Sequence, residues 1–134
     1  MTRGRLTAAE IQRGLVLYLD PETLLVKGAV CTSPRKKQVV GKHRFVVVSA
    51  ENGDITLMPL YSRSSGERIE IPKFGRRGHP QWTQGEAFAY PRQIWRADAA
   101  TIVAAFYAAG DLSTSGTRST VLEAYIPEPH IVAT

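Results

Sequence analysis

Two runs of this sequence are apolar at nearly every position: Phe45-Val46-Val47-Val48-Ser49 and Ile55-Thr56-Leu57-Met58-Pro59-Leu60. They flank the polar stretch from Ala50 to Asp54, with Asn52-Gly53 at its centre. Asn and Gly both tolerate the positive φ of a tight two-residue turn, so the pattern predicts a β-hairpin over residues 43–60. Val46, Val48, Ile55 and Leu57 are expected among its buried side chains. The runs do not alternate apolar with polar, which predicts cover on both faces. The sheet core supplies one cover, and a helix or a second subunit supplies the other. One helix is a narrow cover for such a surface, so a homodimer is expected.

Weaker patterns fill in the rest. Thr7-Ala8-Ala9-Glu10 has the spacing of a capping box and predicts a short opening helical turn, ended by Gly14. Leu15 to Leu19 reads as a strand stopped by Asp20-Pro21, with a second short strand over Leu24 to Val26. Ser33 to Lys37 reads as an exposed loop. Arg68-Ile69-Glu70-Ile71 alternates as a half-wet strand does. Residues 72–85, rich in Pro, Gly and basic side chains, read as a long loop. Glu86 to Tyr90 is a further strand, and Ile94-Trp95 continues the sheet. Ala97 to Ala109 is the convincing helix. Asp98 caps it, Ile102, Val103, Phe106 and Tyr107 form its apolar stripe, and Gly110 ends it. The fold class is mainly β, a small barrel with one helix at about 98–109. Residues 1–110 form the basic domain; 111–134 form a Ser/Thr/Gly-rich linker, an edge strand near Val121 to Ile126, and a tail.

Charge sharpens this picture. Residues 1–96 hold 16 Lys/Arg against 8 Asp/Glu, whereas 97–134 hold 1 against 4. Such a bias is the footprint of phosphate binding or of a solvated basic face. The basic residues of the 35–77 stretch (Lys36, Lys37, Lys42, Arg63, Arg76 and Arg77 among them) are candidate RNA contacts. A single cysteine, Cys31, excludes an internal disulfide and reads as a small buried apolar residue. His43, His79 and His130 lack the paired spacing of a zinc site, so no metal or other cofactor is expected. No apolar run approaches a membrane span and no leader-like segment opens the chain, so the expected location is cytoplasmic.

Four pieces in order resemble the MazF/PemK/Kid toxin family. Arg13 to Pro21 is similar to its opening strand ending in Asp-Pro. His43-Arg44-Phe45-Val46-Val47-Val48-Ser49 is similar to its Arg-Pro-(apolar)-Val-Val-(apolar)-Ser strand. Ile55 to Gly66 resembles an apolar strand running into a Thr/Ser-rich loop, and Tyr90-Pro91-Arg92-Gln93-Ile94 resembles its late Gln-Pro-Arg strand. The resemblance implies an SH3-like barrel, a dimer, metal-free cleavage of messenger RNA and an antitoxin partner. Here Phe45 stands where the family has proline. The family threonine falls at Tyr61 or Ser62, and its aspartate near Ala89 or Tyr90.

Cleavage of RNA without a metal needs a base for the 2′-hydroxyl, an acid for the leaving 5′-oxygen, and a cation on the phosphorane. Arg44 suits the cation role through bidentate contact with phosphate oxygens. His43 suits base or acid. Ser62, as the family position that keeps a hydroxyl, suits a phosphate hydrogen bond. An enzyme should bring Arg44, Ser62 and an ionisable partner within hydrogen-bond reach in one groove; a binding module should scatter them. Arg92 is a phosphate contact if the Pro-Arg likeness holds. Trp82 either stacks on an unpaired base or folds back to cover the barrel. Arg118, in the linker, is expected to be inert. Two further readings stay open: a gyrase-binding toxin of the same fold, and a nucleic-acid-binding accessory domain.

Overall fold

The computed structural model describes residues 5–110 and 118–129. Its strands are β1 (Leu15–Leu19), β2 (Val30–Cys31), β3 (His43–Glu51), β4 (Asp54–Tyr61), β5 (Ile69–Glu70), β6 (Arg76–Arg77), β7 (Phe88–Ala89), β8 (Trp95–Asp98) and β9 (Ser119–Val121). The helices are α1 (Pro21–Val26), α2 (Pro80–Gln84) and α3 (Ala99–Ala109).

The β3–β4 hairpin is the frame. Glu51 pairs with Asp54 across a turn in which Asn52 and Gly53 have φ of 53° and 80°, the left-handed conformation this loop length requires. Val46, Val48, Ile55 and Leu57 are all buried. The register slips by one residue between Val47 and Ser49. Carbonyls freed at this bulge are taken by neighbours: Gly14 N–H donates to Val47 and Arg13 to Val48. Arg13 also pairs with Glu123 and Glu128 and so ties the bulge to the end of the chain.

The antiparallel sheet runs β2-β8-β4-β3-β1-β9-β6, and a side branch attaches β7 to β4 and β5 to β7. β4 pairs with β8 over Asp54 to Leu57 and with β7 at Leu60 and Tyr61. Pro59 falls at this change of partner, where a strand spares a donor most easily. Mainly β is the class observed. The expected barrel is not closed among the described residues: β2 and β6, the ends of the sheet, share no ladder.

The pleat sends alternate side chains of β1, β3 and β4 into two cores. Phe45, Val47, Ile55 and Leu57 pack with Leu24 and with Ile102, Ala105 and Phe106 of α3. Val46, Val48, Met58 and Leu60 pack with Ile71, Trp82, Ala87, Val121 and Ile126. The second cover over the hairpin therefore comes from this same chain. The apolar strands alone give no reason for a dimer.

Several local expectations change. Residues 21–26 are helical, because Asp20-Pro21 starts a helix rather than merely stopping a strand: proline's fixed φ and missing N–H suit the first helical position. Residues 72–85 hold a 3₁₀ turn (Lys73–Gly75), β6 and α2. β9 lies inside the sheet between β1 and β6, and Glu123–Tyr125 is a 3₁₀ turn. α3 forms between its expected caps, with Asp98 accepting from Thr101 N–H at 2.8 Å and Gly110 closing it at φ 69°. Ala97 and Asp98 belong to β8, however, and of the expected stripe Ile102 and Phe106 are buried whereas Tyr107 is exposed. The linker at 111–117 and His130 lie outside the described residues.

Candidate nucleic-acid interface

A cleft of about 170 Å³ opens where the start of β3 meets the end of β4 and α2 lies across them. Tyr18, Lys42, His43, Arg44, Ser62, Gln81, Trp82 and Glu86 contribute to its wall. Strand pairing explains the assembly: Tyr18 is the register partner of Arg44 on the neighbouring strand, and the Arg44 guanidinium lies 6.0 Å from the Tyr18 ring centre. Arg44 is half-buried and forms no ion pair among the described residues. Lys42 and Ser62 are exposed at the rim. The cleft thus offers a free guanidinium, an ammonium and a hydroxyl together.

His43, though part of this wall, stands apart from it chemically. Adjacent strand residues point to opposite faces, so Arg44 and His43 diverge. The imidazole packs edge-on against Tyr61 at 5.0 Å between ring centres. Its Nε2 is buried without a hydrogen-bond partner. Burial pushes its pKa below the ordinary range, with the Leu60 carbonyl pulling the other way and the charges of Arg68 and Arg44 adding to the lowering. A neutral, enclosed imidazole is poorly placed to exchange protons with a ligand. Tyr61 lies beneath the Arg68 guanidinium at 3.7 Å, and its own pKa is raised, chiefly by burial. Cys31 is half-buried, and burial raises its thiol pKa too, which keeps it protonated and unreactive.

The remaining candidates separate by surroundings. Arg76, 2% exposed, is structural: its guanidinium donates to the carbonyls of Ile71, Trp82 and Gly85. Trp82, 3% exposed, covers the second core and donates Nε1–H to the Thr120 carbonyl at 3.0 Å, so it is closed to stacking. Arg92 is exposed and paired with Glu67. Lys36, Lys37, Arg63 and Arg77 are exposed and available to a polyanion. Arg118 is not inert. It pairs with Glu10 at 2.7 Å and donates to the Arg5 carbonyl, fastening the N-terminal turn to β9.

Tyr18, Gln81 and Glu86 were not among the sequence candidates. Glu86 carries the cleft's one carboxylate among the described residues, and nothing in its sequence neighbourhood distinguishes it from an ordinary surface acid. Among the described residues, no group of three His, Cys, Asp or Glu side chains is arranged to hold a metal ion. No described helix is long and apolar enough to cross a membrane. Comparison with protein-family models, with curated proteins and with solved structures gives no match.

Proposed function

We propose that this protein binds single-stranded RNA and seats one backbone phosphate in the cleft, as a MazF/PemK/Kid-like toxin whose SH3-like core is the β1–β3–β4 meander. The observation that carries this reading is the unpaired Arg44 guanidinium, supported on Tyr18, with Lys42 and Ser62 around the same opening. Guanidinium takes two phosphate oxygens at once, the ammonium adds charge, and the hydroxyl donates a third hydrogen bond. The exposed lysines and arginines beyond the cleft follow the rest of the strand.

His43, turned toward Tyr61, favours binding over cleavage by a histidine. Glu86 favours a specific second reading, because it is the carboxylate that shares the cleft with Arg44. In that reading Glu86 accepts the 2′-hydroxyl proton as the O2′–P bond forms and the P–O5′ bond breaks. Arg44 stabilises the phosphorane and Lys42 protonates the leaving oxygen.

Incubation of the protein with a long mixed-sequence RNA in EDTA, beside an anisotropy titration, separates these readings. Binding is expected to weaken steeply from roughly 50 to 200 mM salt, and Arg44→Ala to weaken it while Arg44→Lys recovers little. Fragments that vanish in Glu86→Gln would establish the cleavage reading. Salt-independent binding, or Arg44→Ala indistinguishable from wild type, would reject the cleft.

A further inference from the structure

Two aromatic rings meet at the surface beside the β6–β9 ladder. Phe74 is 66% exposed and Tyr125 is 37% exposed, and unlike the exposed aliphatic groups Val26, Val30 and Val40 they form a contacting aromatic pair. The rings meet edge-to-face at 5.2 Å between centres. Isolated exposed aromatics need no explanation, but these are held in place. The Tyr125 ring lies over Gly75, where an added Cβ would fall 2.8 Å from ring carbons, so the site requires glycine. Leu122 N–H donates to the Gly75 carbonyl at 2.8 Å, and the β6–β9 ladder joins the two segments beyond it. Both 3₁₀ turns are therefore clamped together, and the rings lose little freedom when a ligand arrives.

Two exposed cations, Lys73 and Arg77, lie close to Phe74 in the chain. Arg77 donates to the Phe74 carbonyl at 3.1 Å, which holds its guanidinium near the backbone of this turn. Lys73 precedes Phe74 and is exposed. Glu123 and Glu128, the acids of the facing segment, are both held by Arg13 at 2.8 and 3.0 Å. A protein partner would be served by the apolar surface alone; exposed rings near Lys73 and Arg77, which form no ion pair among the described residues, fit a ligand that alternates flat bases with phosphates.

We infer that Phe74 and Tyr125 are a base-stacking platform for single-stranded RNA, with Arg77 and Lys73 holding the flanking phosphates. The inference rests on the RNA-binding reading of the cleft and adds a second contact to it. Trp82 lines the cleft and also contacts Arg76 of β6 and Thr120 of β9, the strands next to which Phe74 and Tyr125 lie in the chain.

The test is anisotropy with two labelled ligands of equal length, an oligouridine and an abasic sugar–phosphate oligomer, against wild type, Phe74→Ala, Phe74→Trp and Arg44→Ala. Phe74 is exposed, so its variants should melt with wild type. Phe74→Ala should weaken oligouridine binding about tenfold and leave abasic binding unchanged, while Phe74→Trp keeps or improves the former. Unchanged oligouridine binding in Phe74→Ala, the result a protein-docking patch would give, overturns the platform; so does equal loss on both ligands. Loss in Arg44→Ala alone keeps the cleft and removes the platform. Loss in Phe74→Ala alone does the reverse, and no binding by wild type removes both.

Discussion

Replacing Arg76 by Met keeps a long flexible side chain but deletes a guanidinium that is buried against three carbonyl groups. Two of these, from Trp82 and Gly85, lie at the C-terminal end of α2, where a helix leaves its last carbonyls without partners. The third, from Ile71, receives both Nε–H and an Nη–H at 3.0 and 2.8 Å. Each buried acceptor left unsatisfied costs about 1–3 kcal/mol. Three of them, with some relaxation toward water, give a loss of about 4 kcal/mol. That is a large share of the roughly 5–15 kcal/mol by which a domain of this size is stable. With a urea slope of about 2 kcal/mol/M, the unfolding midpoint should fall by about 2 M. Arg76→Lys should recover only part of this, because one ammonium cannot span all three acceptors. Folded Arg76→Lys should also bind RNA with the salt slope of wild type, since the side chain never reaches the surface. A midpoint change worth less than about 1 kcal/mol in Arg76→Met would refute the assignment of Arg76 as the clamp on α2.

Other outcomes follow from single contacts. His43→Phe should be neutral or stabilising, since it keeps the ring on Tyr61 and removes a buried nitrogen without a partner; thermal melts decide. The lowered His43 pKa means that the unfolded chain takes up this proton more readily. Its contribution to stability is therefore complete above the unfolded value of about 6.5 and is lost as pH falls below it. Melts between neutral and mildly acidic pH should show a decline that His43→Phe flattens. Gly53→Val should cost about 1–2 kcal/mol by forcing a β-branched residue into the left-handed region, read from the urea midpoint. Arg118→Ala should destabilise by about 1 kcal/mol through loss of the half-buried Glu10 contact, without changing RNA affinity.

The hairpin was legible because Asn52-Gly53 and its flanking runs point to the same structure, and α3 because Asp98 and Gly110 mark both ends of one apolar stripe. α1 was hidden by its shortness: Leu24-Leu25-Val26 suits a strand, and Pro21 at the first helical position together with the packing of Leu24 under α3 decides for a helix. Arg76 was illegible, since a buried arginine and a phosphate-binding one look alike until the carbonyls around it are known. The 72–85 segment read as an open loop for the same reason, though its Trp82 supplies the second cover that the strands demanded. His43 is a different case. Period-2 alternation already sets its imidazole on the opposite face from the Arg44 side chain, so its packing against Tyr61 at the edge of the cleft could have been read beforehand. Ser62 and Arg44 stand two positions apart in the ladder, and their meeting in one cleft follows from the hairpin register. Glu86 joins them only through the tertiary path of α2.

The cleft is tested most directly by NMR titration of the ¹⁵N-labelled protein with a short single-stranded RNA in EDTA, following backbone amides and arginine Nε–H signals. The expected result is a shift of the Arg44 Nε–H resonance with amides near Lys42, Ser62 and Glu86, reversed by raising salt. Saturable binding that leaves Arg44 and those amides unmoved would contradict the account.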